Sequence, residues 1–421
     1  MTWALVDAEN FYVSAERVFD PSLRGVPLVV LSNNDRCCIS RSSEAKAMGI
    51  GMGHPLSRMH QIEGGGSVIT RSSNYELYAD MNNRMNRVLG MHSEVVEVYS
   101  IDESFVRIAA LPCGRGDRAT GLRIREDVRL HVGLPVRVGL GPTRTLSKIA
   151  NAMAKKGAGG GDGVADLNHP EEREMLLSAW PVRQVWGVAD ATAAKLAAVG
   201  VLTALDLARM DPHHARQVGS VVLERLVRET AGEECHDPAM HEGVRATASA
   251  TRQTGTPVTS ADALHEAICR RILDASIKLR EAGLQARTMI VYAHGSDRRP
   301  DPPNWCLCAV LDPPTADPRP MASLARRMVD RCFETHHAYT KTGVILEDLS
   351  PLDSGQTSLF VRPESPKTRA AMAAMDALNA RFGRGTATIA AAGIGARPSD
   401  TRRDRLSPHW TTRLSDVPVA R

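Results

Sequence analysis

The chain opens on a short apolar run, Trp3-Ala4-Leu5-Val6, closed by an acid, Asp7. A run of this length and kind reads as a buried strand. Behind it Phe11, Ala15 and Val18 recur at helical spacing as far as Pro21, which predicts a helix that stops there. Residues 27–32 predict a second strand and residues 44–48 a short helix ending at Gly49. Residues 51–66 are turn-rich, with a Gly-Gly-Gly loop at 64–66. From 75 to 91 Leu77, Met81, Met85 and Val88 make one stripe of a helix. Residues 94–108 form the clearest strand region and predict a hairpin bent at or near Asp102-Glu103. A strand over 136–140 and a helix over 144–156 follow, and glycines between 157 and 163 end that helix.

The pattern changes after residue 165. Residues 166–235 are helical and alanine-rich, and residues 236–256 are polar and aperiodic, as expected of a linker. From 257 to 350, helices over 261–282 and 321–336 alternate with strands over 288–294, 305–311 and 342–349. That order predicts a second, smaller α+β domain. The tail from 351 is rich in Pro, Gly, Ser and Arg. Apart from a helix over 367–381, it is expected to be loosely structured. The whole chain therefore reads as α+β and multidomain, with an α/β or α+β catalytic core to about residue 165.

Composition narrows this little. A length of 421 residues allows two to four domains. Aromatics make up only 4%, so the core must come from Val, Leu, Ile, Ala and Met. A net charge of +4 suits an anionic partner and equally suits many soluble enzymes. The eight cysteines have neither zinc spacing nor a disulfide framework, so reduced thiols are expected. The N-terminus lacks a signal peptide's basic start and long apolar stretch, and no run of about 18 apolar residues occurs. A cytoplasmic protein with no membrane span is expected.

Four constellations carry candidate chemistry. Asp7 with Asp102 and Glu103 offers three carboxylates at strand ends, the donors two divalent cations need for phosphoryl transfer. Consecutive strand side chains point to opposite faces, so both acids of the Asp102-Glu103 pair reach one site only if the backbone bends there. The competing reading is a solvated turn acid beside a capping acid. On the 144–156 helix, Lys148 and Lys155 share one face opposite an apolar stripe of Leu146, Ile149, Ala150 and Met153. That face can hold a triphosphate or simply be solvated. Gly187, Lys195 and Gly200 sit in a pattern like a helix-hairpin-helix, whose backbone N–H groups bind DNA phosphates, or in a plain helical hairpin. Gln356, Leu359 and Phe360 in the tail suit a peptide docking in a partner's groove, or local packing.

In order and spacing these residues resemble the Y-family translesion DNA polymerases, and within them the UmuC-type branch. The resemblance is carried by Asp7-Ala8 with Phe11-Tyr12, by 29–35, by Glu44-Ala45-Lys46-Ala47, by 73–81, by 100–103 and by 148–151. The far tail adds 383–386, 406–408 and 411–413. It implies a right-hand polymerase with palm (1–12 and 73–165), small fingers (13–72), helical thumb (166–235), linker (236–256) and α+β little finger (257–350). A C-terminal tail (351–421) would carry a sliding-clamp-binding peptide at Gln356, Leu359 and Phe360.

The resemblance also implies roles. Asp7, Asp102 and Glu103, with the carbonyl of Ala8, would hold two Mg2+ ions. Tyr12, beside Phe11, would be the steric gate that rejects ribonucleotides. Lys155 and Lys46 would contact the triphosphate, Lys46 standing for an arginine, and so lacking its bidentate fork. Ser43 departs from the wider pattern, which has a triphosphate-contacting tyrosine there. Implied partners are primer-template DNA, dNTP, the sliding clamp, a processed UmuD dimer and a RecA filament. The implied activity is error-prone translesion synthesis in DNA damage tolerance and SOS mutagenesis. Two rivals are a catalytically weak scaffold acting on the clamp and a nucleotidyl cyclase. Neither accounts for all of the segments above.

Overall fold

The computed structural model describes residues 2–108, 116–157, 161–235, 246–296, 302–352, 365–383, 385–393, 395 and 400–417. The chain divides into two compact units, Met1–His241 with Asp404–Arg421, and Glu242–Arg403.

The first unit is organised by a five-stranded sheet. Its strands are β1 (Thr2–Ala8), β5 (Val96–Val98), β6 (Glu103–Ile108), β7 (Val136–Gly141) and β8 (Val164–Asp166), in the order β5-β6-β1-β7-β8. Strand β1 lies in the middle, antiparallel to both β6 and β7. The period of two sorts its side chains between the faces. Ala4, Val6 and Ala8 join Val106, Ile108, Val136 and Val138 in the main core. That core also takes in helices α1 (Phe11–Phe19), α3 (Tyr75–Leu89) and α4 (Gly116–Val132). Trp3, Leu5 and Asp7 point the other way, towards α5 (Arg144–Lys155).

Two glycines let α5 lie directly on the sheet. A Cβ at Gly139 would stand 2.1 Å from the backbone nitrogen of Asn151, and one at Gly141 2.9 Å from that of Ser147. Asn151, 2% exposed, then stitches helix to sheet: its Nδ2 donates to the carbonyls of Leu5 (3.2 Å) and Arg137 (2.9 Å). The expected apolar stripe of α5 is buried.

Residues 13–72 hold the rest of α1 and a three-stranded sheet of β2 (Leu28–Leu31), β3 (Cys38–Arg41) and β4 (Ile69–Ser72), in the order β3-β2-β4, with α2 (Ser43–Ala47) beside it. Strands β3 and β4 were not foreseen; each is four residues long, with two polar positions in β3 and three in β4. Helices α6 (Pro170–Ser178), α7 (Asp190–Ala198), α8 (Ala204–Arg209), α9 (Pro212–Val218) and α10 (Val221–Ala231) account for the helical stretch. The glycine pattern there differs from expectation in detail. Only a 3-10 turn, Val182–Gln184, precedes Gly187, so the glycine turn that joins two α-helices is the one at Gly200, between α7 and α8.

The second unit is a four-stranded antiparallel sheet of β9 (Ala248–Val258), β10 (Leu284–His294), β11 (Asn304–Thr315) and β12 (Tyr339–Pro351), in the order β11-β10-β12-β9. Helices α11 (Ala261–Glu281) and α12 (Pro318–Cys332) supply its core with Leu264, Ile268, Ile272, Met321 and Val329. Strand β9 corrects the last part, residues 248–256, of the linker expected over 236–256. It is an edge strand whose buried positions, Ala248, Ala250, Thr254 and Val258, are too small or polar to read as apolar alternation.

The tail is the second correction. Helix α13 (Pro366–Phe382) forms where a helix was expected. Residues 404–417, expected to be loose, pack into the first unit instead, with Ser407 and Trp410 buried. Gln356, Leu359 and Phe360 lie outside the described residues. The described cysteines are free thiols, and among the described residues no helix is long and apolar enough to cross a membrane.

Candidate active site

Strand pairing sets the acids. Asp7 stands directly opposite Glu103 on β6, so the two carboxylates share one face of the sheet. The bend demanded by the sequence is present. Strand β5 ends at Val98, β6 begins at Glu103, and the N–H groups of Tyr99 and Ser100 close the turn by donating to the Glu103 carbonyl. The Ser100 hydroxyl accepts the N–H groups of Asp102 (3.3 Å) and Glu103 (3.1 Å) and donates to Asp102 Oδ1. Asp102 is thereby turned out of the strand. Its carbonyl accepts the Ala8 N–H at 2.9 Å, which ties the hairpin to the end of β1.

Asp7, Ala8, Asp102 and Glu103 line one cavity of about 720 Å³. Its walls also carry Phe11, Tyr12, Lys46 and Lys155, so the expected metal, gate and triphosphate residues all meet there. Gly187, Lys195 and Gly200 do not line it; they lie at exposed positions among the helices α6–α10. Ser43 is exposed and donates to Glu44 Oε2.

Two lysines partly offset the acids. Lys155 Nζ donates to Asp7 Oδ2 at 2.6 Å and Lys148 Nζ to Glu103 Oε2 at 3.0 Å. Burial raises the Asp7 carboxyl above the usual carboxylate range, its hydrogen bond with Glu103 acts the same way, and Lys155 opposes both. For Glu103 burial also acts upward, but the hydrogen bonds with Asp7 and Lys148 outweigh it and hold the group low. Two acids so close cannot both ionise without a counter-charge. Among the described residues no group of three His, Cys, Asp or Glu side chains already forms a cage for a metal ion.

The sharp turn from β1 into α1 runs through Asn10, in the left-handed region at φ 48°. Its side chain does not cap the helix; its Oδ1 accepts Lys46 Nζ at 2.6 Å, which holds α2 to this turn. Burial lowers the Lys46 pKa, and the charge of Arg41 adds to it. Tyr12, two residues on, is half-buried and stacks on Tyr78 with centroids 4.4 Å apart and planes at 18°. Its phenol is pushed up to about 12 by burial, with Tyr75 and Asp102 adding.

Three features went unread in the sequence. Arg41 reaches the cavity from β3, and its Nη1 donates to the Ile50 carbonyl; the unforeseen strand hid it. Arg137 faces Glu9 at 2.6 Å on the same wall. Lys148, read only as part of a basic face, sits 4.2 Å from the Tyr99 ring and 5.1 Å from that of Trp186 while it holds Glu103. A lysine in α5's second turn facing an aromatic turn residue is the signal that could have found it.

Comparison with known proteins agrees with this architecture. The impB/mucB/samB family matches residues 6–152, its C-terminal domain residues 245–359, and a domain of unknown function (DUF4113) residues 369–420. Protein SamB of Salmonella typhimurium is 38% identical across 100% of this chain and 99% of its own length. Protein UmuC of Salmonella typhimurium is 37% identical across 99% of both. DNA polymerase IV 2 of Mesorhizobium japonicum is 28% identical, across 94% of this chain and 96% of its own.

Among solved structures, a Y-family DNA polymerase chimera overlays with a TM-score of 0.63 at 20% identity, covering 83% of this chain and 99% of the chimera. The insertion ternary complex of Dbh DNA polymerase gives 0.52 at 18%, covering 82% and 98%. Those likenesses speak for the right-hand fold of palm, fingers and little finger. With a sheet that brings Asp7 against Glu103 and full-length relatives above 30% identity, the chain belongs to the impB/mucB/samB family, the UmuC-type Y-family DNA polymerases.

Proposed function

We propose that this chain is a translesion DNA polymerase that transfers a deoxynucleoside monophosphate from dNTP to a primer 3′-hydroxyl under template direction. The observation that carries the reading is the side-by-side pairing of Asp7 and Glu103, with Asp102 on the wall of the same cavity. Asp7, the Ala8 carbonyl, Asp102 and Glu103 are hard oxygen donors, the set that Mg2+ takes. They fit such an ion because a buried acid pair that shares a hydrogen bond and leans on two lysines lacks compact positive charge. When bound, two magnesium ions supply a more acidic primer hydroxyl and a neutralised leaving pyrophosphate.

The chain's own residues do the positioning. The primer oxygen attacks the α-phosphorus, the α–β bridging bond breaks, and pyrophosphate departs. Lys155 and Lys46, held at the cavity wall by Asp7 and Asn10, are the cations for the triphosphate. Tyr12, braced by Tyr78 and beside Phe11, is the surface a ribose 2′-hydroxyl would strike. The turns at Gly187 and Gly200, with Lys195, are offered to duplex phosphates, so binding is salt-dependent and sequence-independent. Gln356, Leu359 and Phe360 dock on the sliding clamp, and a processed UmuD dimer and RecA filament are the further partners the family suggests. A small fingers region that cannot clamp the nascent pair tightly accounts for error-prone synthesis in damage tolerance and SOS mutagenesis.

The test is extension of a primer past an abasic site with dNTP and Mg2+, with and without UmuD and RecA. Extension that stops one base before the lesion under every condition removes the translesion reading.

A further inference from the structure

Residues 404–417 return to the first unit as a strap over the N-terminal end of α3 and the C-terminal half of α1. Its start is fixed by hydrogen bonds to Ser72 and Asp35. The Ser72 N–H donates to the Arg405 carbonyl at 3.0 Å, the Arg405 N–H donates to Ser72 Oγ at 3.0 Å, and the Asp404 N–H donates to Asp35 Oδ2 at 3.1 Å. Arg405 Nη1 also donates to Thr70 Oγ1. The strap lies within the stretch matched by the domain of unknown function.

Its middle engages α1, which carries Tyr12, and α3, which carries Tyr78. Asn74, the N-cap of α3, donates through Nδ2 to Ser407 Oγ at 3.0 Å. Ser407, 3% exposed, donates in turn to Glu16 Oε1 at 3.1 Å. Glu16 is on α1, wholly buried, and the same oxygen accepts the Tyr78 hydroxyl at 2.9 Å. Tyr78 is the ring on which Tyr12 stacks. Trp410 adds an apolar clasp, stacked on Phe19 at the end of α1 with centroids 5.3 Å apart and planes at 9°. His409 Nδ1 reaches Glu76 Oε2 on α3 at 3.3 Å. A continuous set of hydrogen bonds thus runs from the strap to the ring behind Tyr12.

We infer that the 404–417 strap is a positioning element for Tyr12, setting how strongly the site rejects ribonucleotides through Ser407, Glu16 and Tyr78. This rests on the gate reading of Tyr12 given above. None of the strap residues lines the cavity. Loosening the strap therefore acts on where the Tyr12 ring sits, not on the acids or lysines.

The experiment is single-nucleotide insertion by the full chain with dNTP and with the matching rNTP, comparing wild type, Ser407→Ala, Ser407→Thr, Trp410→Leu and Tyr12→Ala. Thermal melting is recorded for each. Ser407→Ala is expected to raise ribonucleotide relative to deoxyribonucleotide insertion roughly three- to five-fold, the size of one net hydrogen bond. Trp410→Leu should act in the same direction, and Ser407→Thr should restore wild-type selectivity. Unchanged selectivity in Ser407→Ala and Trp410→Leu, with both substrates slowed in step or not at all, overturns the inference when Tyr12→Ala still relaxes selectivity. Unchanged selectivity in Tyr12→Ala overturns the gate reading itself, and the inference with it.

Discussion

Glu16 gives the sharpest quantitative test of the packing around α1. It is fully buried in the main core, and burial pushes its carboxyl up to about 7 from the ordinary 4.5, although Tyr78 and Ser407 both donate to it. The folded protein binds this proton more tightly than the unfolded chain does. Its contribution to stability is therefore fully present below pH 4.5 and is lost as pH rises through 7. The gap corresponds to about 3 kcal/mol. Glu16→Gln keeps an oxygen for Tyr78 and Ser407 but cannot ionise. Its amide nitrogen would take the place of Oε2, which has no hydrogen-bond partner, so any cost there is the same at every pH. Urea unfolding at pH 4, 6, 7 and 8.5, followed by tryptophan fluorescence, measures both proteins. The stability of the variant relative to wild type should rise by about 3 kcal/mol between pH 4 and 8.5. Asp7, also raised, is common to both and cancels. A difference that stays flat with pH would refute the assignment of a buried, proton-holding Glu16.

Other outcomes follow from the same geometry. Tyr12→Ala should raise ribonucleotide insertion while leaving the thermal midpoint little changed, since the ring is only half-buried; insertion kinetics with paired dNTP and rNTP check this. Asn151→Ala strips the carbonyls of Leu5 and Arg137 of a buried donor and should cost about 2–4 kcal/mol in chemical denaturation. Lys155→Ala should raise the KM for dNTP about ten-fold or more, as loss of a charge-assisted phosphate contact does, with circular dichroism unchanged.

Much of the first unit was legible because its patterns are local. The apolar run before Asp7, the Met81–Met85 stripe of α3 and the amphipathic α5 each announce an element by periodicity. The bend at Asp102-Glu103 was a demand of chemistry on a hairpin, and Ser100 supplies it. What escaped depends on pairing at a distance. Strands β3, β4 and β8 are three or four residues long and gain their identity only from neighbours. Strand β9 hides its inward face in Ala and Thr. The strap carries one large aromatic, and its partner Glu16 lies 391 positions away, a contact no local pattern encodes. Within the site the acids were readable as residue types. The engagement of Lys148 with Glu103, and the arrival of Arg41 from an unforeseen strand, were not.

In the proposed function Asp7, Asp102 and Glu103 hold the metal ions of a polymerase. Single-turnover primer extension on undamaged template, titrated with Mg2+, measures it for wild type and Asp102→Asn. The wild type should show magnesium-dependent, template-directed insertion. The variant should lose on the order of a thousand-fold or more, with primer-template binding retained, if Asp102 holds metal. Extension by Asp102→Asn at the wild-type rate and the same magnesium midpoint would contradict that role.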